Sequence, residues 1–394
     1  MDRDSSLNLT KLGPVGGLLG ILGALGLGAG FMSEATRTAT AQAYLWGWTF
    51  WAAVALGCLG LTMLHHAIRA TWGLSVIRLL EAGGGPVSLA VTGVLFVPII
   101  LFLPEIFPWA NPANAHEHIV HGKAWYLNKD FFILRQVVYF ATWIFLANKA
   151  RQSSLKQDET LDPALGVKRQ TLGPIGLVTF FVTMTFAVTD WIMSLELNWY
   201  SSILPLLTCI GAALSALSLC IVMVLLNRGK QPYAQAITPQ LTKDLGNMLF
   251  ALTLLWQYMV LSQYLITWSG NLQEEIPYYI KRNDFGWNFL ITANIVFQFF
   301  VPFLALLAPR TKRHAKNLLY VALLIFTMRL GDIYWTVMPS MRGGTLGASI
   351  SHWQDYVAFL AMGGFWMMVF GSQLGKASIL PKHDTRLLEV EHAH

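Results

Sequence analysis

The stretch Gly173-Pro-Ile-Gly-Leu-Val-Thr-Phe-Phe-Val-Thr-Met-Thr-Phe-Ala-Val-Thr-Asp190-Trp-Ile-Met-Ser-Leu-Glu196 decides the fold class. It stays apolar long enough to cross a bilayer, which takes about 20 helical residues. Asp190 therefore falls within the hydrocarbon region, and Glu196 near its far edge. A carboxylate at that depth costs about 3 kcal/mol on insertion scales, so the chain must supply something that offsets it.

The rest of the sequence agrees with this reading. Of 394 residues, 55% are hydrophobic and 12% charged, and the mean hydropathy is +0.50. Soluble domains carry about 25% charged residues. Lipid is thus the main solvent, and the fold class is all-α integral membrane. Ten spans are expected, at 12–31, 44–66, 87–108, 131–149, 173–196, 202–226, 241–269, 285–308, 316–338 and 353–375. The run Leu12–Phe31 is long for a signal-peptide core and follows Asp2 and Asp4, so it reads as a retained first span. Cys58, Cys209 and Cys220 lie in apolar runs without metal-ligand spacing and read as small core residues.

The loops set the orientation. Of 27 Lys and Arg residues, 19 fall at the termini or in loops on their side, six on the opposite side, and Arg135 and Arg329 within spans. The positive-inside rule then makes both termini cytoplasmic. The basic surplus reflects this topology and not nucleic-acid binding. Residues 150–172 are polar and charged and read as a cytoplasmic linker, and 376–394 as a cytoplasmic tail. The first span repeats glycine every four residues (Gly13/Gly17, Gly16/Gly20, Gly26/Gly30). Such a face serves internal packing or docks another membrane subunit.

With orientation assigned, the ionisable residues sort by depth. Glu105, Arg135, Asp190, Glu196, Arg329 and Asp332 fall in the outward half, next to the loop His116-Glu117-His118-Ile119-Val120-His121. His65, His66 and Arg69 at the end of span 2, and Asp244 at the start of span 7, fall in the inward half. Between the groups lie Gln257, Tyr258, Ser262 and Gln263 on span 7, and Asn288, Asn294 and Gln298 on span 8. One reading is that each carboxylate pairs with an arginine and holds helix register. The other is that intramembrane charge marks a proton path, an ion path or a polar substrate pocket. Asp190 and Asp332 sit at similar depth in spans 5 and 9, as a parallel duplication of units 2–5 and 6–9 would place them. The His116–His121 loop has the ligand type for a metal, but nothing else supplies metal spacing, and surface or interface histidines are expected. Only His65 and His66 lie in a span, and they are adjacent, so no bis-histidine haem is expected. Trp46, Trp48, Trp51, Trp109, Trp125, Trp191, Trp199, Trp268 and Trp335 are expected as an interfacial belt.

Several stretches together resemble a known family. They are His65-His66-Ala-Ile-Arg69-Ala-Thr-Trp-Gly, His121-Gly-Lys-Ala-Trp-Tyr-Leu-Asn with Phe131-Phe132-Ile-Leu-Arg135, and Asp190-Trp-Ile-Met-Ser-Leu-Glu196. To these add Asp244-Leu-Gly-Asn-Met-Leu-Phe and Trp256-Gln-Tyr-Met-Val-Leu-Ser-Gln-Tyr-Leu-Ile-Thr-Trp268 with Glu274-Glu275-Ile-Pro-Tyr-Tyr. Over nearly the whole chain the sequence is similar to the F-subunit family of alternative complex III, within the NrfD-like (polysulfide-reductase membrane-subunit) superfamily. It departs at Leu197-Asn198, where the family has proline after the glutamate, and at Lys243, where histidine often precedes the aspartate.

The resemblance implies two four-helix bundles (spans 2–5 and 6–9) flanked by spans 1 and 10, within one polytopic domain covering 1–394. The first bundle region is then 32–149 and 173–226, the remainder of the second 227–338, and the last span 339–375. It implies a multi-pass protein of the bacterial inner membrane, in a quinol:electron-acceptor oxidoreductase of a respiratory or photosynthetic chain. The implied partners are a sister NrfD-like membrane subunit, a periplasmic iron–sulfur subunit, c-type cytochrome subunits and, in some assemblies, a terminal oxidase. Iron–sulfur clusters and haem c would then sit on those partners, with quinone or menaquinone the small molecule this chain meets. On this basis the expected role is a proton path and scaffold without a redox centre. Its inner half would be His65, His66 and Asp244, its middle Tyr258, and its outer half Glu105, Arg135, Asp190, Glu196, Arg329 and Asp332. The alternatives are a quinone pocket near Glu105, Arg135 and His121, or a secondary transporter.

Overall fold

The computed structural model describes residues 8–68, 72–160 and 162–382, so Arg69 and the end of the tail lie outside the described residues. Among the described residues every regular element is helical. Ten helices are long and apolar enough to cross a membrane: α1 (Leu12–Met32), α2 (Glu34–Ile68), α3 (Ile77–Leu101), α4 (Lys129–Thr160), α5 (Pro163–Leu195), α6 (Leu204–Leu226), α7 (Pro239–Gly270), α8 (Trp287–Leu307), α9 (Ala315–Met341) and α10 (Trp353–Leu374). The protein is an all-α, multi-pass membrane protein of about ten spans.

Two helices form the centre. The apolar window of α2 is 89% buried and that of α6 78%, against 22% for α8. The two lie backbone to backbone, because Gly57 carries no side chain where a Cβ would overlap the Ala212 carbonyl. Around α2 gather α3, α5 and α10, while α4 closes the far side against α3 and α5. Around α6 gather α7 and α9, with α8 between them. The packing thus follows two four-helix groups joined along α2 and α6.

The glycine face of α1 is used inside the chain. A Cβ on Gly16 would lie 2.6 Å from the Met368 amide nitrogen, and one on Gly23 2.6 Å from Ala361 Cα, both on α10. Close approach of small residues is how helices associate where lipid removes the hydrophobic drive. The alternative of a second subunit on this face is therefore corrected.

Three connections differ from expectation. Residues 32–43 are not a loop: α2 starts at Glu34, after a single extended residue, Ser33. The expected linker 150–172 is helical up to Thr160 and again from Pro163, with Asp162 capping α5 by accepting from the Ala164 amide at 2.9 Å. Lys156, Glu159, Asp162 and Lys168 are exposed there, but Arg151 and Arg169 are buried. Arg78 donates to Glu81 and Ser154 and reaches Asp158 at 2.5 Å, and Arg151 donates to the carbonyls of Glu81 and Gln373. Arg169 donates to Gln157. These contacts bind α3, α4, α5 and α10 at the end nearer the termini, so a polar composition there marks an internal network. Finally, α3 is broken at Gly84-Gly85 and again before Val97, with Pro86 and Pro98 opening the later pieces.

The tryptophans also differ. Trp125 and Trp268 are exposed as a belt requires, but Trp46, Trp48, Trp51, Trp109, Trp191 and Trp199 are buried. Trp48 meets Trp191 edge to face at 4.8 Å and Phe96 at 4.8 Å, so these rings fill the first bundle. Aromatic pairs of this kind add about 0.5–1.5 kcal/mol beyond area burial. Cys58, Cys209 and Cys220 are free and buried, as expected of core residues.

Candidate functional site

The six outward charges do not form one cluster. They separate because each bundle carries its own arginine.

In the first bundle Arg135, near the start of α4, grips Asp190 of α5. Its Nε donates to Oδ2 at 2.9 Å and its Nη2 to Oδ1 at 2.8 Å. Gln136 Nε2 and the Tyr139 hydroxyl each donate to the same Oδ2 at 3.1 Å, and Asp190 is 0% exposed. Arg135 Nη1 donates to the Tyr126 carbonyl at 2.7 Å, and its guanidinium lies 3.8 Å from the centre of the Tyr126 ring. Gln136 in turn accepts from Trp191 Nε1 at 2.7 Å. Both carboxylate oxygens and all three guanidinium nitrogens thus have protein partners. Tyr126, in the connection before α4, has its hydroxyl pushed up to about 12 by burial and by the nearby Asp190 carboxylate, so it stays protonated at neutral pH.

In the second bundle Arg329 and Asp332 pair along one face of α9, three residues apart. Room for the guanidinium comes from Gly211 of α6, where a Cβ would overlap it, and Arg329 Nε also reaches Ser215 Oγ at 3.4 Å. Unlike the first pair, this one faces space. Arg329 and Asp332 line a cavity of about 390 Å³ enclosed by α6, α7, α8 and α9, with Thr49 of α2 in its wall. Ligand cavities typically measure about 300–1,000 Å³.

Glu196 belongs to the rim of this second centre. Lys281 binds it at 2.9 Å, and Arg282 lies 3.7 Å away. Arg282 was read from sequence only as a loop charge, yet it is fully buried. Its guanidinium lies 3.5 Å from the Tyr278 ring and donates to the Thr336 carbonyl and Ser340 Oγ. The available signal was the spacing of Tyr278 and Arg282, four apart on the short helix Ile276–Asn283, which puts both on one face. Tyr278, beneath that cation and stacked at 3.7 Å on Trp199, has its hydroxyl pushed up by burial.

The remaining expected residues are scattered. Glu105 is half-buried, and its Oε2 has no hydrogen-bond partner among the described residues. His121 is exposed on the short helix His118–Lys123, as are His116 and His118. Among the described residues no group of three or more metal-ligating side chains gathers. The cavity lies in the second bundle, and none of Glu105, Arg135 and His121, the residues of the expected pocket, lines it. Tyr258 is 68% exposed on the outside of α7, because Trp256 and Met259 take the core face of that turn. It is not the middle of an internal path. At the termini end His65 and His66 are buried, with His65 at 5.8 Å from the Trp72 ring. The segment Trp72–Ser75 also meets α7, whose Asp244 is half-buried and accepts from Gln240 at 3.0 Å.

Two polar groups on α8 complete the second bundle. Asn294 and Gln298 are 0% exposed, on or beside a π-helical turn, Ile295–Phe300, that ends just before Pro302. Proline supplies no N–H to the helical ladder, and π turns occur often at functional sites. Asn294 lies against Gly331, one residue from Asp332. Another buried ion pair, Arg342 with Asp355 at 2.8 Å, joins α9 to α10 and also escaped the sequence reading.

No protein-family profile matches the chain, and no curated protein matches it significantly.

Proposed function

We propose that the chain is a membrane subunit of a quinol:electron-acceptor oxidoreductase of the alternative complex III type, contributing a transmembrane proton path and scaffold. Its setting is the bacterial inner membrane with cytoplasmic termini, beside a sister NrfD-like subunit and partners carrying iron–sulfur clusters and haem c. The sequence resemblance, the ten-span fold and the paired bundles support this reading.

One observation carries the proton path. Gln298 is 0% exposed, and neither polar atom of its side chain has a hydrogen-bond partner among the described residues. An unmet polar group costs about 1–3 kcal/mol, and at membrane depth such groups line polar routes. With Asn294 and Asp332 it makes a polar line running from the cavity towards the termini end. The path therefore runs through α8 and α9, and the Arg135–Asp190 pair acts as scaffold. In proteoliposomes holding the intact complex, Gln298→Leu and Asp332→Asn are expected to keep quinol oxidation and lose coupled proton movement. Unchanged proton movement in both variants overturns the assignment.

A further inference from the structure

Lys312 and seven arginines are the basic side chains buried among the described residues. Every one of the arginines has an oxygen to donate to. It is a carboxylate in four cases, a backbone carbonyl for Arg151 and Arg282, and the Gln157 side chain for Arg169. Lys312 differs. Among the described residues no carboxylate pairs with it and no oxygen accepts from its ammonium.

Its side chain also runs the wrong way for water. Lysines at a membrane edge ordinarily extend the ammonium out of the apolar layer. Lys312 lies in the connection Pro309–Arg313 between α8 and α9, and its stem crosses Gly246 of α7, where a Cβ would come within 2.8 Å of Lys312 Cγ. The ammonium ends 5.4 Å from the centre of the Phe250 ring, one turn further into the span. Phe250 stacks on Phe303 of α8 at 5.6 Å, so the floor beneath the charge is aromatic carbon. A phenyl face attracts a cation but offers no lone pair, and the three N–H donors of the ammonium remain to be met.

The surroundings add charge of the same sign. Arg310, Arg313 and Lys316 are exposed on this connection and on the first turn of α9, and the sequence has no carboxylate between Asp284 and Asp332. The Thr242 hydroxyl donates to the Arg313 carbonyl at 3.2 Å and ties the connection to α7. Asp244 of α7 is two residues from Gly246, so it points away round the helix, and it accepts from Gln240. At the same end of the first bundle, by contrast, Glu81 and Asp158 neutralise Arg78.

From these observations we infer that the seam between α7 and α8, at the end nearer the termini, binds an anionic phospholipid whose phosphate meets Lys312. A lipid phosphate arrives at the edge of the hydrocarbon layer, where this ammonium is turned; a phosphate dissolved in water would meet Arg310 and Arg313 first. Leu304 and Leu307, exposed on α8 just before the connection, give the acyl chains an apolar surface. The surplus of cations favours a headgroup with net negative charge over a zwitterionic one, whose amine would face the arginines. Basic pockets between spanning helices hold anionic headgroups by this chemistry.

The test uses the full-length protein in a neutral detergent, with dioleoylphosphatidylglycerol as probe and native mass spectrometry as the equilibrium readout. Dioleoylphosphatidylcholine is expected to bind about tenfold more weakly. Lys312→Met keeps the stem and removes the charge, and is expected to weaken phosphatidylglycerol binding about five- to tenfold. Lys149→Met removes an exposed lysine at the same end of the first bundle and is expected to leave affinity within about twofold. Thermal melting without lipid reports folding, and added phosphatidylglycerol should raise the melting temperature of the parent but not of Lys312→Met. Gly246→Ala carries the test if Lys312→Met does not fold, because its Cβ displaces the Lys312 stem and should weaken binding similarly. Equal affinity for the two lipids, or equal losses in Lys312→Met and Lys149→Met, overturns the inference. Displacement of the lipid by millimolar inorganic phosphate overturns it as well, since the site would then serve a soluble anion.

Discussion

Replacing Asp190 with asparagine tests whether the first bundle is held by its buried pair. Three donors converge on Oδ2 (Arg135 Nε, Gln136 Nε2 and the Tyr139 hydroxyl), and one, Arg135 Nη2, meets Oδ1. Asparagine keeps the shape and places its oxygen best at the Oδ2 position. Its amide NH₂ then faces Arg135 Nη2 across 2.8 Å, donor against donor. The guanidinium keeps the Tyr126 carbonyl and ring but loses its counter-charge while remaining 7% exposed. Breaking a buried pair from one side costs about 3–5 kcal/mol, and an uncompensated arginine at a helix centre, deeper than Arg135, about 2.5–3.5 kcal/mol on insertion scales. The two figures describe the same loss, so about 3–4 kcal/mol is expected. The three cysteines are all free and buried, so a thiol-reactive fluorophore reports unfolding directly in detergent or nanodiscs. Asp190→Asn should melt at a clearly lower temperature. The double variant Arg135→Leu/Asp190→Leu should recover most of the loss, because apolar residues of similar volume replace a buried pair at little cost. An unchanged melting temperature in Asp190→Asn, or a double variant no better than the single, refutes this account.

Other outcomes follow from the same structure. Gly16→Leu drives a side chain into the α10 backbone and should cost about 1–3 kcal/mol by overpacking, whereas Gly17→Ala, which meets only the flexible Met368 side chain at 3.4 Å, should be tolerated; melting of the two variants compares them. Gln298→Leu removes an unmet amide and should leave stability unchanged or raise it by about 1 kcal/mol, so a large drop in melting temperature would show that the amide is bonded after all. Tyr126 is raised to about 12, above an unfolded value near 10. A raised group of this kind contributes its full stability below pH 10 and loses it as pH rises from 10 towards 12. Melting of the parent should therefore fall in that window relative to Tyr126→Phe, and the two should run parallel between pH 6 and 9.

The sequence alone carried the fold class and the number of spans, because twenty apolar residues in a row have few other places to go. It also flagged Arg135, Asp190, Glu196, Arg329 and Asp332, because charge in such runs stands out. Their grouping was not legible. Asp190 could pair with either arginine by depth, and only the packing of α4 on α5 brings Arg135 to it while Arg329 stays with Asp332 on α9. The residues missed lay where composition suggested water. Arg78, Glu81, Arg151 and Asp158 read as loop charges, and burial depends on neighbouring helices that no local window contains. Tyr258 shows the reverse error: its chemistry suited a path, but the phase of α7, set by Trp256 and Met259, turned it outwards.

Hydropathy is a local and additive property, so length and composition by themselves determined that this chain crosses a membrane about ten times and must offset buried charge. Rotation of each helix about its axis and the choice of neighbours are non-local. They depend on where glycines such as Gly57 and Gly211 let backbones or a guanidinium approach. Only the tertiary structure decided that Asp190 is closed on all sides while Asp332 lines a cavity.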